Sequence, residues 1–135
     1  MLICKELLNI LPKKYPKVSE ELLPELLNTN IKKGFIDVDK LDIENALINS
    51  TNCTFNIVKT KKKEAINILL NAHNIKKSKK LILFIVHNKN LTLYEISQMM
   101  NSITKNIRSS TDIIVGDFVD KSIKNQIKLV SLIIV

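Results

Sequence analysis

The stretch Leu81-Ile82-Leu83-Phe84-Ile85-Val86 is apolar throughout. It lacks the alternation of a half-buried strand, and it is far shorter than the roughly 20 apolar residues of a membrane span. It reads as a strand buried on both faces, and the rest of the chain arranges itself around it. Downstream, Leu91-Thr92-Leu93-Tyr94-Glu95-Ile96 starts a helix. Thr92 and Glu95 are spaced as a capping box, and Leu91 with Ile96 as its hydrophobic staple. Leu93, Ile96, Met100, Ile103 and Ile107 keep helical spacing, and Met99 and Met100 read as core filler. Two strands, 113–119 and 127–135, close the chain across the polar link 120–126.

Upstream, residues 51–58 alternate, with Cys53, Phe55 and Ile57 on one face of a half-buried strand. Thr60 is expected to cap a helix over 61–73 that packs through Ala65, Ile66, Leu69, Leu70 and Ala72. Lys61, Lys62 and Lys63 fall at the positive end of that helix, where stability does not explain them. The order β-α-β-α-β-β predicts an α+β fold of α/β-like character. Its form is a two-layer sandwich, a mixed four-stranded sheet with right-handed crossovers and helices packed on it.

A helical segment precedes this block. Residues 2–4 suggest a short strand and 5–11 one or two helical turns, before Pro12 and Pro16 break the pattern. Ser19-Glu20-Glu21 opens a helix with Leu22, Leu23, Leu26 and Leu27 on one side, and Pro24 is expected in its first turn. Those leucines are expected to be partly exposed if they once faced another domain. Residues 28–34 read as a helix exit, with Gly34 free to take positive φ.

Composition narrows the function classes. The 135 residues suit one domain, and 45% hydrophobic content argues against disorder. No signal peptide or membrane span is legible, so a cytoplasmic protein is expected. Cys4 and Cys53 form no motif and read as reduced, partly buried thiols; His73 and His87 are equally isolated, and no metal-ligand spacing appears. The net charge of +8 rests on lysine, with Arg108 the one arginine, and no aromatic interleaves with Lys61-Lys62-Lys63 or Lys76-Lys77-Ser78-Lys79-Lys80. A solvated basic face is favoured over a nucleic-acid site, which needs stacking platforms.

The acidic stretch Gly34-Phe35-Ile36-Asp37-Val38-Asp39-Lys40-Leu41-Asp42-Ile43-Glu44 stands out in so basic a chain. Locally, Asp39 suits a helix N-cap and Asp42 the first turn, where carboxylates are favoured. The alternative is that these carboxylates act on something outside the domain.

In the order just described, Leu91-Thr-Leu-Tyr-Glu-Ile96, Thr111-Asp-Ile-Ile-Val-Gly-Asp-Phe-Val-Asp120 and Ile127-Lys-Leu-Val-Ser-Leu132 closely resemble the C-terminal domain of the FtsZ family, in the tubulin superfamily. The family's texts are "sLtLyEv", "aniifGavid" and "vrvtviat". Residues 34–42 resemble its "GlinlDFaDv" loop, with Asp39 and Asp42 on the two family aspartates. Departures stand at Asp37 for asparagine, Lys40 for phenylalanine and Leu41 for alanine. The resemblance covers roughly residues 30–135. More faintly, residues 2–8 resemble the end of the family's GTPase domain and 18–30 a shortened interdomain helix. This divides the chain into 1–33, a remnant of that junction, and 34–135, the FtsZ-like domain.

The resemblance implies that the acidic loop enters the nucleotide pocket of a neighbouring subunit and completes its hydrolytic site. Asp39 and Asp42 would then be catalytic in trans, with Gly34, Asp37, Lys40, Leu41 and Glu44 shaping the contact. No two glycines lie close together, so no phosphate-cradling loop is present. GTP is therefore expected only in a partner subunit, with no cofactor bound by these residues. The expected partner is full-length FtsZ or a separate GTPase domain, with self-association as a further possibility and no membrane contact. Capping of filaments or hydrolysis in trans is the leading expectation. The alternatives are one half of a split or truncated GTPase, and a basic module binding nucleic acid or an acidic partner.

Overall fold

The structure, a computed structural model, describes residues 5–26, 31–89 and 91–135. The expected strand at 2–4, Cys4 and Leu27 lie outside the described residues, as does the side chain of Leu26. The elements are α1 (Lys5–Lys14), α2 (Pro16–Leu26), β1 (Ile31–Lys33), α3 (Lys40–Ile48), β2 (Cys53–Thr60), α4 (Lys62–Leu69), a 3-10 turn (Ile75–Lys77), β3 (Lys80–His87), α5 (Leu93–Asn106), β4 (Asp112–Asp120) and β5 (Ile127–Ile134).

The β-α-β-α-β-β block is as expected, and β3 is buried along its length apart from Lys80. The strands form one mixed sheet in the order β1-β4-β3-β5-β2. Among the described strands only β3 and β4 run parallel, joined through α5; the other neighbours are antiparallel. The sheet thus has five strands rather than four, because Ile31–Lys33 pairs with Phe118, Val119 and Asp120 at the β4 edge.

Two apolar clusters lie on opposite faces of the sheet. On one, Leu11, Leu22, Ile43, Ala46 and Leu47 pack with Ile82, Phe84, Val86, Phe118, Val130 and Leu132. On the other, Ala65, Leu69, Ile96, Met99 and Ile103 pack with Leu81, Leu83, Ile85, Leu129 and Ile133. The sheet with α4 and α5 makes the two expected layers, and α1–α3 add a third. A fully apolar β3 requires that cover on both faces.

The N-terminal helices are integral to this packing. Of the leucines expected to be partly exposed, Leu22 is fully buried, whereas Leu23 is half-buried against the same cluster. Lys14 Nζ donates to Leu47 O at 2.7 Å and Ile48 O at 2.6 Å, where a helix end leaves carbonyls unpaired and favours a cation. Tyr15 Oη and Ser50 Oγ share a hydrogen bond of 2.7 Å, and Lys128 of β5 pairs with Glu25 of α2 at 2.7 Å. Pro24 sits deep in α2 rather than in its first turn, since the helix begins earlier, at Pro16.

At the other face the expected Thr92–Glu95 capping box is formed. Thr60, expected as a cap, is instead the last residue of β2, and its hydroxyl donates to Glu64 Oε2 at 3.1 Å. Lys61 takes the N-cap position of α4 with no side-chain bond to the helix, which ends at Leu69. Lys62 reaches Glu95, whose carboxyl is held below its ordinary value first by that hydrogen bond and then by the Thr92 amide. An exposed pair of this kind adds little stability.

Cys53 is a buried free thiol, pushed up to about 12 by desolvation. The thiolate is the reactive form, and at pH 8 it is on the order of 10⁻⁴ of the population. Iodoacetamide is therefore expected to label the Cys53 peptide only after unfolding, as read by mass spectrometry. Labelling of the native protein at the rate of a free cysteine would contradict this burial. The native state holds a proton that the unfolded chain releases, so this site lowers stability as pH climbs from about 9 toward 12.

Candidate functional site: the acidic loop on the sheet edge

The loop from Gly34 to Asp39 continues the β1–β4 pairing and then leaves it. Gly34 N–H donates to Asp117 O at 3.0 Å, and Asp117 N–H donates to Ile36 O at 3.2 Å. Ile36 packs against the α4–α5 cluster and Val38 against the α1–α3 cluster, so the loop crosses the sheet edge between the two cores.

Both glycines of the chain serve this crossing. A Cβ on Gly34 would lie 2.0 Å from Asp117 Oδ2, and one on Gly116 would lie 2.8 Å from Val38 Cγ2. Neither glycine has positive φ. Gly34 is therefore required by close approach of the loop to β4, not by the left-handed turn expected from the sequence.

Asp39 caps α3 as expected. Its Oδ1 accepts Leu41 N–H at 3.0 Å and Asp42 N–H at 3.3 Å, and its extended backbone suits the position. Asp42 sits in the first turn, exposed, and its carboxylate has no partner among the described residues. Asp37 is exposed, 4.0 Å from Lys33. Lys40 opens α3 and is exposed, Glu44 is half-buried, and Leu41 and Phe35 are each 62% exposed. The loop thus exposes the carboxylates of Asp37, Asp39 and Asp42 together with two uncovered apolar side chains, Phe35 and Leu41. Capping and outward presentation coexist, since one Asp39 oxygen makes both cap bonds.

Residues that sequence reasoning did not single out hold this loop. Asp117 is fully buried; its Oδ1 accepts Ile36 N–H at 2.5 Å and its Oδ2 lies 2.8 Å from His87 Nε2. His87, taken as isolated from its sequence context, is buried as well. One signal was present: an acid inside the run Ile113-Ile114-Val115-Gly116-Asp117-Phe118-Val119 needs a partner when buried. Among the described residues no group of three or more His, Cys, Asp or Glu could hold a metal ion, and no helix is long and apolar enough to cross a membrane.

The described strands make one parallel pair and three antiparallel pairings in an α+β domain, a fold shared with solved FtsZ and TubZ structures. The chain belongs to the FtsZ family: the sequence profile described as "FtsZ family, C-terminal domain" matches residues 49–135. That match begins just after α3, so the acidic loop lies outside it.

Solved structures extend the likeness of fold to the loop. An empty FtsZ dimer from M. jannaschii superposes with a TM-score of 0.68 at 21% identity, over 97% of this chain and 43% of that one. A point mutant of the same FtsZ gives 0.69 at 23% identity, over 96% and 44%. TubZ from Bacillus thuringiensis serovar israelensis, solved as GDP-form protofilaments, gives 0.58 at 11% identity, over 96% and 39%. The chain spans less than half the length of the FtsZ structures it matches. No curated protein sequence matches it.

Proposed function

We propose that this domain serves in a cell-division filament system, docking through its acidic loop on the GTP-bearing face of an FtsZ subunit and contributing Asp39 and Asp42 to hydrolysis there. The observation that carries the reading is the loop itself. It is fastened to the sheet on its inner side, yet among the described residues leaves the carboxylate of Asp42 unpartnered and Phe35 and Leu41 uncovered. Phosphoryl transfer to water needs the attacking water oriented and its proton accepted, while phosphate and metal contacts come from the nucleotide side. These 135 residues hold two glycines far apart in sequence and no phosphate loop, and the reading places the nucleotide on the partner. In this reading a docked copy stimulates hydrolysis by the subunit it contacts or caps the filament end it occupies.

The test mixes the protein with FtsZ from the same source and reads GTP turnover and sedimentable polymer. Asp39→Asn with Asp42→Asn is the informative variant, because asparagine caps a helix about as well as aspartate. The variant is expected to remain folded and to lower any stimulated turnover by about 10²-fold, the low end for a lost general base. Equal stimulation by wild type and variant would remove the carboxylates from the chemistry. No effect of a large molar excess on turnover or polymer would overturn the docking.

A second reading has the domain complete a GTPase whose nucleotide-binding half is a separate polypeptide or an adjoining one. The share of FtsZ length that the chain spans favours it. Co-expression with a nucleotide-binding half, read as co-purification, separates the two readings.

A further inference from the structure

We infer that Asp117 and His87 are positioning residues for the acidic loop, a buried carboxylate–imidazole strut that fixes the path of the loop across the sheet edge. The bonding has a definite direction. Lys89 N–H donates to His87 Nδ1 at 3.3 Å, so that nitrogen carries no proton and Nε2 does. His87 Nε2–H therefore donates to Asp117 Oδ2 at 2.8 Å, while Ile36 N–H donates to Oδ1 at 2.5 Å. The backbone of Asp117 is taken up by the same loop, its N–H by Ile36 O and its carbonyl by Gly34 N–H. Every polar atom of this residue is thus committed either to the loop or to His87.

Lys89 completes the arrangement. It has φ of 79°, a left-handed conformation that is unusual for lysine, and its amide is the one that bonds His87. The strut runs from the turn after β3, through His87 and Asp117, to the loop amide of Ile36.

Stability alone does not call for such a pair. Replacing a buried ionisable pair with apolar side chains of similar volume is often neutral or stabilising. An apolar residue at 117 would fill the space but could not hold the Ile36 amide, and the loop would lose its register on β4. Nor does the imidazole serve a ligand. A cavity of about 200 Å³ lined by Lys62, His87, Asn88 and Gln126 opens beside it, but both ring nitrogens are already engaged. The direction of every bond points inward to the loop, and Asp39 follows Ile36 closely in the chain.

The experiment is residue-resolved amide hydrogen exchange on the purified protein. Asp117→Ala is expected to speed exchange at Ile36 by about 10- to 100-fold, the range for loss of a hydrogen bond to a charged group. Leu83 and Val130, in the central strands, are expected to change far less. Asp117→Asn keeps an acceptor for Ile36 but turns an N–H toward His87, which must then move its proton to Nδ1 and release Lys89. That variant is expected to leave Ile36 protected and to accelerate Lys89, a pattern that a merely structural role would not produce. Unchanged Ile36 exchange in Asp117→Ala, or equal acceleration of Ile36, Leu83 and Val130 in both variants, would overturn the strut. Should Asp117→Ala not fold, the Asn variant decides alone: Ile36 protected with Lys89 released supports the strut, and any other pattern overturns it.

The functional consequence rests on the proposed docking, and GTP turnover with FtsZ separates the two. Ile36 released together with lost stimulation in Asp117→Ala supports both. Ile36 released with stimulation intact leaves the strut standing and overturns the role of the loop in docking.

Discussion

Gly34→Ala is expected to destabilise the protein by about 3 kcal/mol, combining overpacking with displacement of buried hydrogen bonds. The new methyl would lie 2.0 Å from Asp117 Oδ2, 2.4 Å from its Cγ and 2.8 Å from its backbone oxygen. Asp117 cannot yield cheaply. It is fully buried, and any shift breaks its bonds to Ile36 and His87 together. The sign is diagnostic, because Gly→Ala at a site with room and an ordinary φ stabilises by roughly 0.4–1 kcal/mol. Gly116→Ala is the internal comparison: its methyl meets apolar side chains only, Val38 at 2.8 Å from Cγ2 and 3.1 Å from Cβ and Phe118 at 3.3 Å from Cε2, and displaces no buried hydrogen bond of Asp117. A cost nearer 1 kcal/mol is expected there. Urea unfolding separates the two variants, with midpoints expected to differ by roughly 1 M at ordinary m values. A Gly34→Ala protein as stable as Gly116→Ala would mean that the loop does not press on Asp117.

Phe84→Ala is expected to cost about 3–5 kcal/mol, against a typical total of roughly 5–15 for a domain. Phe84 is fully buried on β3 and meets Phe118 edge to face, with ring centroids 5.9 Å apart and planes at 62°. It lies opposite Gly116 in the parallel register, on the face that α1–α3 cover. The hole would open at the centre of the sheet, where β4 and β5 flank β3 on either side and cannot close it without breaking ladders. A fall of 10 °C or more in Tm, read by circular dichroism, is the expected result for a domain of this size. A loss below about 1 kcal/mol would mean that the α1–α3 face is not a packed core.

How much of this was legible differs from element to element. The Thr92–Glu95 box, the apolar run of β3 and the Asp39 cap are local: each depends on residues within one turn or one strand, so spacing alone shows them. The FtsZ-like order of elements was legible for the same reason, since each fragment carries its own pattern. Thr60 was misread because a hydroxyl before an amphipathic run suits both a strand end and a cap, and the pairing of Thr60 with Ile127 decides for the strand. β1 was missed because Ile31-Lys32-Lys33 has no periodicity to read; it is a strand only through its pairing with β4. The buried place of Leu22 was missed because a helix stripe does not say which surface receives it.

The sequence by itself determined the β-α-β-α-β-β block, the family and the two aspartates that sit at the start of α3, since these rest on local spacing and on motifs in fixed order. Only the tertiary structure decided how those aspartates are held. Asp117 lies far from Ile36 along the chain, and His87 lies in another strand again. Burial of a carboxylate demands partners but does not name them, and here the pairing of β4 with β1 and β3 brings them together.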